Sequence, residues 1–285
     1  MNLKEIKQRI QSVKSTQKIT SAMKLVSAAK LRRAQNVIEN MRPYQQKLDE
    51  IFSAFINGGG QLNTVYTAVR EPRKVAIITV SSNSSLCGGF NANIIRETKQ
   101  VIDKYVADRV DVELIPVGKK ISEALRRLGF EENSSLKEQA AAVSYNVVAD
   151  VAAGLMNRFA SGELDRVELV YTHFHSASKL TPVQELLLPV DLNTISNATS
   201  STGDFIVEPS HETILQELLP RVVVMRLFTA LLDSTAAEHA ARMVAMQVAT
   251  DNADDLIEEL VREYNKGRQQ AITNELLDIV AGSAN

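Results

Sequence analysis

Apolar residues return every three or four positions at both ends of the chain, and in short continuous runs between them. Over residues 1–57, Leu3, Ile6, Ile10 and Val13 open such a stripe, and Ile19, Met23, Val26, Ala34, Val37 and Met41 carry it onward. That period predicts one amphipathic helix. Asn2 followed by Glu5 makes a capping pattern at its start, and Asn57-Gly58-Gly59-Gly60 ends it. The segment holds one proline, Pro43, and no glycine before Gly58. At about 1.5 Å per residue such a helix is roughly 80 Å long, too long to stay within a compact core.

The periodicity changes between residues 75 and 190. VAIITV (Val75–Val80) reads as a buried strand, Asn91–Val106 as a helix and VELIPVG (Val112–Gly118) as a second strand. A short helix through Leu128, an alanine-rich helix over Glu138–Ala160 and a strand RVELVYTHF (Arg166–Phe174) follow. Alternating strands and helices predict parallel pairing in a doubly wound, Rossmann-like α/β domain. Asn193–Asp204, rich in Ser, Thr and Asn, has no period and reads as a loop.

From Ser210 the helical period resumes. Leu232, Ala236, His239, Met243, Met246, Thr250, Ala253, Ile257, Leu260, Tyr264, Gly267 and Ala271 are spaced as in a coiled coil. The stretch TAAEHAARMVAMQVATDNADDLIEEL (Thr235–Leu260) has small or smooth residues on nearly every side. The two end helices are expected to pack as a slender antiparallel coiled coil. The organisation is then an N-terminal coiled-coil helix (1–57), an α/β domain (75–190) and a C-terminal coiled-coil helix (206–285).

Charge sharpens this picture. Residues 1–34 hold nine basic side chains against one acidic, and residues 206–285 hold six basic against thirteen acidic. Opposite charge suits two helices lying side by side. The basic end leaves three readings open: a phosphate-binding arm for nucleic acid, a solvated face, or a helix beside an acidic protein partner. It lacks interleaved aromatics and any known nucleic-acid module. Composition adds limits: aromatics are 5% with no Trp, and Cys87 is the single cysteine, which excludes internal disulfides and cysteine-based zinc sites. No apolar run reaches membrane-spanning length. Without a signal-peptide pattern, a cytoplasmic start is expected.

Candidate chemistry is sparse. The strand–SSNSSLCGG–helix stretch at Ser81–Gly89 invites a phosphate-loop reading, yet it is neither G-x-G-x-x-G nor a Walker loop. It leaves a nucleotide-dependent α/β enzyme as the alternative function, against a tight structural turn or a partner-contact loop. His173 and His175 stand two apart on a strand and face the same way, but no carboxylate or thiol joins them locally. Cys87 as a nucleophile has no supporting residue. No catalytic, cofactor or metal set is expected.

Particular residues carry a resemblance. QKITSAMKLVSAAKL (Gln17–Leu31), SLCGGFN (Ser85–Asn91), EHAARMVAMQVATDNADDLI (Glu238–Ile257) and YNKGRQQAITNELLDIVAG (Tyr264–Gly282) resemble the gamma subunit of bacterial-type F-type ATP synthases, in order and over essentially the whole chain. The resemblance implies a noncatalytic rotor shaft with no cofactor. Its partners would be the hexamer of alpha and beta subunits, the epsilon subunit and the c-subunit ring. No nucleic acid is implied. The chain would lie peripherally on the cytoplasmic face of the bacterial inner membrane, held there only through the complex.

By the same resemblance Arg242, Arg268, Gln269 and Thr273 match hexamer-contact positions. Met23, Lys24, Lys30 and Cys87 match positions near an acidic loop of beta. Phe205 and Glu208 match the foot near the c ring and epsilon. Three departures stand out: Asn83-Ser84-Ser85 replaces a charged turn, Gly267 stands where alanine is usual, and the Asn193–Asp204 loop lacks the cysteine pair of the chloroplast relatives.

Overall fold

In a computed structural model, the structure describes residues 2–57, 64–131, 136, 140, 143–191 and 211–283. The elements are α1 (Leu3–Asn57), β1 (Lys74–Val80), α2 (Phe90–Ala107), β2 (Asp111–Val117), α3 (Lys119–Arg127), α4 (Tyr145–Ala160), β3 (Arg166–Ser176), β4 (Lys179–Leu188) and α5 (His211–Ser283). They divide into two compact units, residues 1–28 with 242–285, and residues 29–241.

The first unit is an antiparallel helix pair. Asn2 and Glu5 cap α1 reciprocally: the Asn2 N–H donates to Glu5 Oε2 at 3.1 Å, and the Lys4 N–H to Asn2 Oδ1 at 3.3 Å. Thr20 and Thr250 join hydroxyls across the pair at 2.8 Å, and Gln17 Nε2 donates to Asp254 Oδ1 at 2.7 Å. Leu3 lies against Gly267, so the advance along α1 from Leu3 to Thr20 is matched by the retreat along α5 from Gly267 to Thr250. That matching is what antiparallel packing requires.

The α5 seam follows the expected positions, with Met246, Ala253 and Leu260 buried. The α1 seam does not. Ile19 and Val26 are 60% and 56% exposed, and Gln17, Thr20 and Ser27 occupy the inward positions instead. A strict three–four step from Leu3 lands on these polar residues. Their small hydroxyls satisfy themselves on the preceding turn, Thr20 Oγ1 on Gln17 O at 3.0 Å and Ser27 Oγ on Met23 O at 2.7 Å. They therefore cost little inside a close seam.

Packing against Leu3 does not require glycine at position 267. A Cβ there would sit 3.2 Å from Leu3 Cδ2, the tip of a flexible side chain that can yield. Gly267→Ala is therefore expected to stabilise the chain by ~0.5–1 kcal/mol through helix propensity, read as a rise in the thermal midpoint. A fall would show that Leu3 cannot move aside.

The second unit is built on one sheet of order β2-β1-β3-β4. β1 pairs parallel with β2 and with β3, as the alternation of strands and helices predicts. β4 was not expected; it runs antiparallel to β3 on the outer edge. Its Pro182 interrupts the strand pattern and is tolerated because an edge strand need not donate on both sides. α4 begins at Tyr145 after the extended Ser144, and the expected start at Glu138 lies outside the described residues. The Asn193–Asp204 loop lies outside the described residues.

Residues along β1 alternate between two cores. Val75 and Ile77 face Ile94, Val101, Ile102, Ile121 and Leu125 of α2 and α3. Ala76, Ile78 and Val80 face Val148, Ala152, Leu155 and Phe159 of α4, together with Leu48 and Phe52 of α1 and Leu219–Leu232 of α5. Burial on both faces explains the unbroken apolar run of this strand. On β3 the buried Glu168 carboxylate accepts hydrogen bonds from Tyr105 of α2 and Gln184 of β4. Burial first, then the hydrogen bond to Glu168, pushes the Tyr105 hydroxyl up to about 12.

Candidate interaction surface

In the first unit the pairing of helices leaves a distinctive outer surface. Every basic side chain of its residues 1–28 is exposed except Lys24, which is half-buried; Lys30, Arg32 and Arg33, also exposed, belong to the second unit. Ile19, Leu25 and Val26 of α1 and Val244, Val248 and Val261 of α5 are exposed among polar neighbours. Beyond the turn of α5 that meets Leu3, residues 268–279 are exposed throughout, including Ile272, Leu276, Leu277 and Ile279. A solitary helix with several large apolar side chains in water is marginal by itself, and clustered apolar exposure marks a surface that another molecule covers.

Resemblance-derived residues fall into three groups. Lys30, Arg268, Gln269 and Thr273 are exposed, Met23 and Lys24 half-buried, and Thr273 Oγ1 donates to Gln269 O at 2.9 Å. Cys87 and Arg242 are buried, at 1% and 8% exposure. Phe205 and Glu208 lie outside the described residues.

The Ser81–Gly89 loop follows β1 in the second unit, at the carboxyl ends of the parallel strands where open α/β sheets bind ligands. Its polar groups are already engaged. Ser81 Oγ accepts the Ile121 N–H at 2.9 Å, Asn83 Oδ1 accepts the Lys119 N–H at 3.0 Å, and Ser82 O accepts the Lys120 N–H at 3.1 Å. These contacts turn the loop's acceptors to the start of α3, while at the start of α2, where a phosphate would sit, the Phe90 N–H already donates to Cys87 O at 3.2 Å. Asn91 closes the loop from the other side, accepting the Ser82 N–H at 3.1 Å and donating to Cys87 Sγ at 3.1 Å. Asn83, one of the neutral departures, thus serves as a helix cap.

The crevice itself is filled. α5 lays Ala237 and Ala241 on Cys87 and Phe90, with Phe174 and Leu180 alongside. Nearby, Val80, Ser81, Val117 and Ala140 pack toward Leu231, Ser234, Thr235 and Glu238 of α5 and leave about 0 Å3 of room for even a water-sized molecule. Small-molecule pockets measure about 300–1,000 Å3. The nucleotide-enzyme alternative has no room here. Nothing local in the sequence announces this; only the returning C-terminal helix blocks the site.

His173 and His175 do share a face of β3, with ring centroids 4.3 Å apart and planes at 84°. The carboxylate missing from the local sequence arrives from α5. Asp233 Oδ2 meets His173 Nδ1, and Asp233 Oδ1 accepts the Phe174 N–H at 3.2 Å. Burial pushes the Asp233 carboxyl up, opposed by His173, the Phe174 N–H and His175. Among the described residues no group of three or more His, Cys, Asp or Glu side chains could hold a metal ion, and no helix is long and apolar enough to cross a membrane.

A family model described as ATP synthase matches residues 2–285. The "ATP synthase gamma chain" of Phocaeicola vulgatus is 49% identical, covering 99% of both chains. That of Flavobacterium psychrophilum is 44% identical, covering 99% of this chain and 98% of its own. Among solved structures, a chain of the Tetrahymena thermophila mitochondrial ATP synthase central stalk and c-ring matches at TM-score 0.57. It is 27% identical and covers 81% of this chain and 99% of that one. A chain of the Euglena gracilis mitochondrial ATP synthase, in a structure of its OSCP, F1 and c-ring, shares the fold at TM-score 0.66 and 20% identity, covering 99% and 93%.

Proposed function

The chain belongs to the ATP synthase gamma-chain family, and from that premise we propose that it is the noncatalytic rotor shaft of a proton-translocating F-type ATP synthase. The segments 1–57 and 206–285 form the shaft in this reading, and 75–190 the body that rides with it. Its partners are the hexamer of alpha and beta subunits around the shaft and the epsilon subunit and c ring at the foot. The chain sits peripherally on the cytoplasmic side of the bacterial inner membrane.

One observation carries the reading: α5 continues past its pairing with α1 as a fully exposed helix bearing Ile272, Leu276, Leu277 and Ile279. A slender rod with an apolar tip and a basic flank fits inside a sleeve of other subunits. Its asymmetry then does the work. A partner shifts a conformational equilibrium only by contacting its two states differently. An asymmetric rod touches three otherwise equivalent beta subunits differently, and turning it passes those differences round.

Reversing a two-state equilibrium from 1:99 to 99:1 takes about 5.5 kcal/mol, whereas one exposed ion pair supplies roughly 0–1 kcal/mol. Coupling is therefore spread over many contacts. Met23, Lys24, Lys30, Arg268, Gln269 and Thr273 make them directly. The buried Cys87 and Arg242 act through the neighbours they support. Phe205 and Glu208 belong to the foot.

Mixing the chain with alpha and beta subunits tests this. The expected result is a co-eluting complex with steady ATPase activity and no ATP hydrolysis by the chain alone. Failure to co-elute overturns the proposal. Within such a complex, Arg268→Ala or Gln269→Ala is expected to lower ATPase turnover by roughly two- to tenfold, the effect of one hydrogen bond, while assembly persists.

A further inference from the structure

His173, His175 and Asp233 lie where β3 faces α5 within the second unit, and nothing in the rotor reading uses them. We propose that His173 and His175 form a surface site for a borderline transition-metal dication such as Zn2+ or Cu2+, with Asp233 as the carboxylate that positions His173. Each part of this follows from placement. Alternation along β3 puts residues 173 and 175 on one side of the sheet, and their rings lie 4.3 Å apart between centroids. Two imidazole nitrogens about 2.0–2.1 Å from one ion need neighbouring rings of this kind. The present 84° crossing is met by turning the exposed His175 ring.

Asp233 supplies what a bare histidine pair lacks. Its carboxylate meets the Nδ1 side of His173, the arrangement that favours the Nδ1–H tautomer and leaves Nε2 as the ligand nitrogen. Imidazole ligands are commonly oriented and made more basic in this way by a carboxylate behind them. Asp233 is itself held by the Phe174 N–H at 3.2 Å, so it cannot swing away. The His173 side chain is 43% exposed and that of Asp233 14%, which leaves an ion an open approach to the rings while the anion stays beneath. Imidazole donors select borderline cations over Mg2+ and Ca2+. With two protein ligands, water completes the shell.

Cu2+ titrated into the full chain, read by electron paramagnetic resonance, tests the site, with Zn2+ and thermal melting as the second measurement. The expected result is one site whose spectrum shows two imidazole nitrogens, and a melting midpoint raised by Zn2+. His175→Ala removes an exposed side chain and should leave the fold intact. It is expected to weaken Cu2+ at least tenfold, remove one nitrogen from the spectrum and abolish the Zn2+ effect on melting. Asp233→Asn should weaken binding about 10–100-fold with both nitrogens retained. Equal Cu2+ affinity in the wild type and His175→Ala overturns the site, leaving His173–Asp233 as a plain ion pair. Unchanged affinity in Asp233→Asn overturns the positioning role.

Discussion

Gly118→Ala is expected to unfold the α/β unit under conditions where the wild type is stable, with a loss of at least ~3 kcal/mol in urea denaturation. Two effects add. Gly118 has φ +99° and ψ 151°, a conformation open essentially to glycine alone. A Cβ on it would also lie 2.3 Å from the Ser81 carbonyl oxygen. That oxygen is backbone and cannot turn aside. The close approach exists because the strand end at Val117 accepts the Ser81 N–H at 2.8 Å, and the Ser81 hydroxyl caps α3. Glycine here lets two loops at the strand ends lie against each other. A Gly118→Ala chain with wild-type stability would show that this approach relaxes at no cost.

Phe52→Ala is expected to lower stability by ~3–5 kcal/mol, seen as a shift in urea midpoint with the slope retained. Phe52 is fully buried near the end of α1, in the core formed with α4, α5 and the sheet. Deleting the ring removes its transfer energy and leaves a cavity that packed neighbours fill poorly. Tyr44→Ala, on the same helix but half-exposed, serves as the control and is expected to change stability by less than ~0.5 kcal/mol. A small effect at Phe52 would mean that the end of α1 contributes little to holding the helix on the sheet.

These two positions differ in how visible they were beforehand. Gly118 closes an obvious strand, and a glycine at a strand end is a familiar turn residue. Its particular necessity comes from Ser81, thirty-odd residues earlier. Phe52 lies on the predicted helix, but which face of that helix meets a core depended on the exact step of the seam. There the hydrophobic pattern misled at Ile19 and Val26, which point outward. Apolar side chains kept outside on a rod are a sign of something that surrounds it, so the misfit is itself informative about function.

The sequence by itself determined the long terminal helices, the α5 seam, the parallel core strands and the family, because these rest on local periodicity and on blocks of contiguous residues. Only the tertiary structure decided four things. Hydroxyl and amide residues line the α1 seam, since closeness between helices matters there more than apolarity. β4 adds an antiparallel edge, since an edge position tolerates Pro182. α5 fills the crevice at the end of β1, which removes the nucleotide site the loop suggested. Asp233 reaches His173 from sixty residues away. Each depends on which surfaces meet after the chain has returned on itself, and periodicity along the chain carries no record of that.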